Sequence, residues 1–343
     1  MKLFMRILLG IVLVPVLAFA LFLLVFSLLD YRPDAREDVP IKGLTAASVF
    51  PDTLTVLTWN IGYGGLGAEQ DFFFDGGYNV RPTAHLSDYY LNGILGFLAE
   101  QRSVDVLMLQ EVDKDSRRSY HVDQETEISK AMPGYAYGFA YNYKTLFVPE
   151  PIREPYGKCM AGLMTLAKVK PGQSIRHALA ADANWPVGLF MLDRCFLTWR
   201  YPDYFKDGSD LILINVHLSA YDDGSVKQRQ MDSLAAFLRM ESRQGNRIIV
   251  GGDWNQQAPG YRWSLAASQV KKDFPDPGWT WVAPDTTTNR ALATGYEPDK
   301  TLEVCIDYFL LSPNLKAVEV KRINQYFSFS DHEPVQLKVA LMN

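Results

Sequence analysis

The chain has 343 residues, of which 48% are hydrophobic and 21% charged, and it carries a formal charge of -5. That length suits one large single-core domain plus an appendage, or two modest domains, and the apolar content is that of a globular chain. A net acidic chain speaks against a protein that coats a long polyanion, which needs a basic stripe, although a compact site needs few basic residues and a nuclease is not excluded.

Lys2 and Arg6 precede a charge-free apolar run from Ile7 to Leu29. A helix needs roughly 20 such residues to cross about 30 Å of hydrocarbon, so the run is long enough to span a bilayer. The competing reading is a cleaved signal peptide with Ala18-Phe19-Ala20 as its small-residue site. That site would fall in the middle of the apolar block, which favours a retained anchor. A buried core helix fits less well, because no polar face marks the run. Basic residues before the span and Asp30, Asp34, Glu37 and Asp38 after it place the N-terminus inside and the body outside the cytoplasm.

Residues 30 to 52 contain Pro33, Pro40 and Pro51 without periodicity and read as a tether to a catalytic body at 53–343. In that body, apolar runs of strand length cover 54–60, 105–110, 137–141, 162–167, 194–201, 211–217, 247–251, 306–311 and 334–339. Leu86, Tyr90, Ile94, Phe97 and Leu98 form one helical stripe, and Met231, Leu234, Phe237 and Leu238 another that stops before Gly245. Strands around 194–217 lack a helical crossover, which predicts a mixed or antiparallel sheet. No glycine-rich phosphate loop of the P-loop kind occurs, which removes kinase and ATPase readings. Cys159, Cys195 and Cys305 show no metal-ligand spacing and no disulfide framework, leaving room for one disulfide at most.

Polar residues cluster where the strong strands end. LTVLTWN closes on Asn60, DVLMLQE on Glu111, LILINVH on His217, and RIIVGGDWN on Asp253 and Asn255. CIDYFLL places Asp307 inside an apolar run, and SFSDHEPV sets Asp331 and His332 beside the last strand. Strand ends of one sheet converge at an edge, so these residues form one cluster if their strands are co-oriented. Taken singly, each has a plainer explanation: Glu111 as a helix cap or surface residue, Asn60 and Asn255 as turn formers, His217 as a packed imidazole. Asp307 is harder to dismiss, because an ionised carboxylate in such a run must find a partner, and His332 is the natural candidate.

Together and in this order, the WN, QE, NVHL, GDWN, IDY and SDH motifs resemble the endonuclease/exonuclease/phosphatase superfamily, over about residues 53 to 341. The resemblance implies a four-layer α/β sandwich of two packed mixed β-sheets flanked by helices. It implies Glu111 as the principal Mg2+ ligand, with Mn2+ as the alternative ion, Asn60 orienting it or contacting phosphate, and Asp331 in the same metal region. It further implies His332 paired with Asp307 as the catalytic imidazole, Asp253 orienting or deprotonating water, Asn255 on a phosphate oxygen, and His217 on the phosphate or leaving group. These residue types suit the chemistry: anionic esters need their charge neutralised while water is aligned, and magnesium takes oxygen ligands.

Three loops complete the expectation. Residues 61 to 85, rich in glycine and aromatics, should border the site, with Phe72, Phe73 and Phe74 as lid, membrane-dipping element or minor core, and Arg81 within reach of a phosphate or in a surface ion pair. Residues 142 to 158 should wall the cleft, with Tyr141 or Asn142 hydrogen-bonding substrate; 273 to 300, with Trp279 and Trp281, reads as a substrate-facing loop or a hydrophobic plug. The leading functional reading is an extracytoplasmic phosphoesterase for a small or lipid-linked substrate. The alternatives are a surface DNase or RNase, with nucleic acid as a less favoured partner, and a noncatalytic binding module on a membrane stalk; no protein partner is implied.

Overall fold

The computed structural model describes residues 2–43, 47–181, 183–220, 224–260 and 268–341. In chain order it comprises α1 (Lys2–Leu29), β1 (Arg36–Asp38), β2 (Thr53–Asn60), α2 (Ala84–Glu100), β3 (Val106–Asp113), α3 (Gln124–Ala131), β4 (Ala136–Val148), β5 (Gly157–Ala167), β6 (Gln173–Ala178), β7 (Cys195–Tyr201) and β8 (Leu211–His217). There follow α4 (Ser225–Arg243), β9 (Arg247–Asp253), β10 (Thr280–Val282), β11 (Asn289–Arg290), β12 (Glu303–Val304), β13 (Asp307–Leu311), β14 (Lys316–Arg322) and β15 (Val335–Ala340).

Two sheets carry the body: β1-β6-β7-β8-β9-β13-β10 and β14-β15-β2-β3-β5-β4, with β11 and β12 as a small separate ribbon. Among the described strands only β2–β3 and β8–β9 pair in parallel, and each pair is joined by a helix, α2 and α4, as a parallel connection requires. Alternation along the strands sorts side chains into layers. Leu54 and Val56 of β2 meet Leu211, Leu213, Ile249 and Phe309 between the sheets, whereas Leu57 and Trp59 face α2 and α3 with Ile94, Phe97 and Ile128. On the other side Ile212, Ile214 and Val250 pack on Met231, Leu234 and Leu238 of α4. Helix, sheet, sheet, helix is the four-layer arrangement expected.

Buried polar groups tie the sheets together. Gln110 of β3 donates to the Asn215 side-chain oxygen at 2.7 Å, and Asn215 of β8 donates to the Leu109 and Met164 carbonyls. Several expectations change. The segment read as a free tether contributes β1, which pairs antiparallel with β6, because the sheet edge beyond β6 offers unpaired backbone groups. Of that segment, residues 44–46 lie outside the described residues. The first part of 142–158 is strand, since β4 runs on to Val148 and pairs with β5 through bulges. Trp281 is a plug and no substrate-facing side chain: it packs on Trp254, Phe274 and Tyr308. The three cysteines are buried, free thiols.

Candidate active site

The geometry of the strands explains why residues far apart in the chain meet. β8 and β9 run parallel with His217 in register with Asp253, and β13 runs antiparallel to β9 with its first residue, Asp307, opposite Asp253. Two strand ends and one strand start therefore share an edge. In the other sheet β2 ends at Asn60 in register with Gln110, and Glu111 follows at a bulge where the β3–β5 register shifts between Leu109 and Val112. Glu111 has φ 54°, a left-handed conformation costly for a residue with a Cβ, and this re-aims its carboxylate out of the pleat. Gly252 is required next to Asp253, because a Cβ there would stand 2.0 Å from the Val216 carbonyl oxygen.

Asn60 joins the sheets at this edge: its amide donates to Glu111 Oε1 at 3.1 Å and to Asp253 Oδ2 at 3.0 Å, while its oxygen accepts from Gly62 N. His332 Nδ1 donates to Asp307 Oδ2 at 2.8 Å, and the same oxygen accepts from Thr288 Oγ1 at 2.7 Å. His332 Nε2 lies 3.7 Å from both Asp253 Oδ2 and Asp331 Oδ2. His217 Nε2 lies 3.5 Å from Asp253 Oδ2 and 3.9 Å from Glu111 Oε1. Backbone bonds hold the imidazole further, with Trp59 Nε1 donating to the His332 carbonyl and Ser330 Oγ donating to the Asn60 carbonyl.

Electrostatics separates the roles. Burial disfavours charge on His332, but the Asp307, Asp331 and Asp253 carboxylates outweigh it and hold the imidazole protonated well above its ordinary range. Burial, assisted by the Arg194, His332 and Arg118 charges, drives His217 well below that range and keeps it neutral. Asp253 is pushed up to about 6 chiefly by burial, with His332 opposing and Asp307 adding. Asp331 is pushed up to about 7 by burial, with His332 opposing and Glu111 adding.

Glu111 and Asp331 are thus hard oxygen donors that repel one another in a buried setting, the donor chemistry of a divalent-cation site. Gly62 keeps this region open, since a Cβ on it would stand 2.9 Å from Asp331 Oδ1. One ligand-type atom from each of Asp253, Asp307 and His332 also lies within 4.8 Å of the others. Within that trio His332 and Asp307 are joined by a direct hydrogen bond.

These residues open into one cleft of about 990 Å³, lined by Glu111, Asn142, His217, Asp253, Asn255, Asp331 and His332 among others. Asn142 lines the cleft, and its Nδ2 is buried without a hydrogen-bond partner among the described residues. Asn255 lines the cleft too, but its amide donates to the Leu218 carbonyl at 2.8 Å and its backbone N–H to Asp253 Oδ1, so it fixes the turn and orients Asp253. Arg81 does not line the cleft. Its guanidinium stacks on Tyr120, donates to the Arg117 carbonyl and sits 3.9 Å from Glu154.

Residues invisible to sequence reasoning also line the cleft. Arg118 is bound to Asp113 and lies 3.8 Å over the Tyr63 ring, and Arg290 pins the glycine-rich loop by donating to the Leu66, Gly67 and Gln70 carbonyls. Both come from polar stretches without periodicity; the doubled arginine at 117–118 was the only signal.

Comparison with known proteins follows the same line. Among solved structures, the endonuclease/exonuclease/phosphatase from Beutenbergia cavernae matches with TM-score 0.56 and 17% identity, over 84% of this chain and 72% of that one. ANGEL2, a 2',3'-cyclic phosphatase, matches with TM-score 0.54 and 15% identity over 88% and 98%, and the human Nocturnin catalytic domain with TM-score 0.53 and 15% identity over 88% and 96%. At such identities the likeness is one of fold. No curated protein matches the sequence significantly. The family model for the endonuclease/exonuclease/phosphatase family matches residues 57–332, a stretch that contains every strand-end motif of the cleft, and the chain belongs to that family.

Proposed function

We propose that the chain is a membrane-anchored phosphoesterase whose body lies outside the cytoplasm and which hydrolyses phosphate esters of small or lipid-linked substrates by water attack, with Mg2+ or Mn2+ as cofactor. The observation that carries this reading is the convergence of Asn60, Glu111, His217, Asp253, Asp307, Asp331 and His332 at one cleft. Glu111 and Asp331 would hold the ion and Asn60 would orient Glu111; bound there, the ion would neutralise charge on a nonbridging oxygen. Asp253 takes the proton of the attacking water, its raised affinity making it a competent base at neutral pH. His332, kept cationic by Asp307, stabilises charge on the phosphate oxygens, and neutral His217 and Asn142 contact the ester.

The test is a panel of bis(4-nitrophenyl) phosphate, phospholipid and DNA, run on the full chain with Mg2+ and with EDTA, beside His332→Ala. At least one ester is hydrolysed in Mg2+ but not in EDTA, and His332→Ala loses about a hundredfold in rate. An unchanged variant removes His332 from the mechanism. Preference for DNA over the other esters supports the nuclease, and inactivity on all three supports the binding module.

A further inference from the structure

The cleft has two unlike ends. Its inner end is the carboxylate and imidazole cluster, whereas part of its wall comes from α1: Phe19, Phe22 and Leu23 line it together with Val187 and Phe190 of the loop before β7. α1 is the one described helix long and apolar enough to cross a membrane, and its spanning segment, Phe4–Leu29, is not buried in the body. The body nonetheless grips its last turns. Phe22 and Phe26 ring-contact Phe190, Phe26 also meets Phe147, and Trp185 Nε1 donates to Ser27 Oγ at 3.0 Å. With a rise of 1.5 Å per residue, Phe26 stands about 5 Å and Phe22 about 10 Å before the end of the helix. The loop that grips it is apolar on the outside, with Trp185 64% exposed and Val187 55%, and in the loop after β4 Ile152 is 90% exposed. An indole bonded at a span's end is placed as membrane-interface tryptophans are.

Exposed apolar loops around the emerging end of a span have one natural cover, the bilayer that the span crosses. We infer that the mouth of the cleft lies at the bilayer surface and that the substrate is a membrane-resident phosphate ester, whose polar head reaches His332 while its aliphatic tail runs along the wall shared by α1 and the 185–190 loop. This rests on the phosphoesterase reading above and names the substrate class of that site. The volume is consistent with it, because about 990 Å³ holds far more than a phosphate and its leaving group.

The full chain in phosphatidylcholine nanodiscs is given a series of 4-nitrophenyl alkyl phosphodiesters with methyl, octyl and hexadecyl tails. The reaction is one step throughout: a water oxygen bonds to phosphorus, the bond to the nitrophenolate oxygen breaks, and the water's proton goes to the site's base. Only the tail differs. The expected result is a rise in kcat/KM of at least about tenfold from methyl to hexadecyl, since each buried methylene adds binding. Val187→Asp and Phe22→Ala, the latter leaving α1 apolar enough to insert, should each erase most of that gain. The nanodisc dissolves the tail equally for every variant, so comparing the methyl-to-hexadecyl ratio isolates the wall. A methyl ester that is cleaved with a flat tail series, or a ratio unmoved by both substitutions, overturns the lipid assignment while leaving the phosphoesterase reading intact. If no ester of the series is cleaved, the phosphoesterase reading falls, and this inference with it.

Discussion

Asp253 touches more of the site than any other side chain, with Asn60, His217, His332 and the backbone of Asn255 all against its carboxylate. Burial raises its proton affinity to about 6, so a rate that needs it ionised falls as pH drops below about 6. Asp253→Asn should remove that acid limb and lower the plateau by about a hundredfold, which a pH–rate profile of both proteins checks; a limb that survives in the variant belongs to another group. His332 contributes no limb there, because three carboxylates keep it protonated through neutrality. The candidate residues were legible in the sequence because each borders an apolar strand, Asn60, His217 and Asp253 at its end, Asp307 at its start and His332 shortly before the last one. The side-chain partners of Asn60 and Asn255 were not legible there: Asn60 donates to Glu111 and Asp253 and Asn255 to the Leu218 carbonyl, and hydrogen-bond partners are a matter of tertiary neighbours.

Strands set the precision of the site, and two elements can be tested apart from it. The Gln110–Asn215 pair between β3 and β8 is fully buried. Asn215→Leu removes the shortest of the three bonds made by the Gln110 amide and the side-chain donor to the Leu109 and Met164 carbonyls, and should cost about 1–3 kcal/mol in urea unfolding, more than the change in apolar area would return. In β6, His177 stacks on Phe196 and bonds Thr198 Oγ1 at 3.0 Å, and burial depresses its pKa to about 4. The unfolded chain binds this proton from about 6.5 downward and the folded chain only near 4, so the contribution of His177 to stability falls as pH is lowered across that window and is flat above it. His177→Gln should remove this residue's share of that fall, His217 adding to it in the same sense, read as a smaller difference in urea midpoint between pH 4.5 and 7.5 than in the parent chain. β6 and β14 escaped the strand reading for a shared physical reason. β14 is largely solvent-facing, with a Lys-Ala-Val-Glu-Val-Lys-Arg pattern, and β6 is short and buries the polar Ser174, Arg176 and His177, so neither carries an apolar alternation.

For the whole molecule the prediction concerns whether α1 is kept as an anchor. If α1 is retained, the full chain should stay in the membrane pellet through an alkaline carbonate wash, with an intact N-terminus by mass spectrometry. A soluble body beginning after Ala20 would replace the anchor by a cleaved signal. By itself the sequence determined the apolar span, the two crossover helices, the strand-end motifs in their order and, through them, the family. These are local patterns, set by the period of one helix or strand against one buried face. Only the tertiary structure decided that Glu111 leaves the pleat through a left-handed bulge, that Arg118 and Arg290 brace the cleft, that 36–38 completes a sheet edge, and that the end of α1 walls the site. Each of these depends on contacts between segments distant in the chain, and such contacts leave no periodic mark on either segment alone.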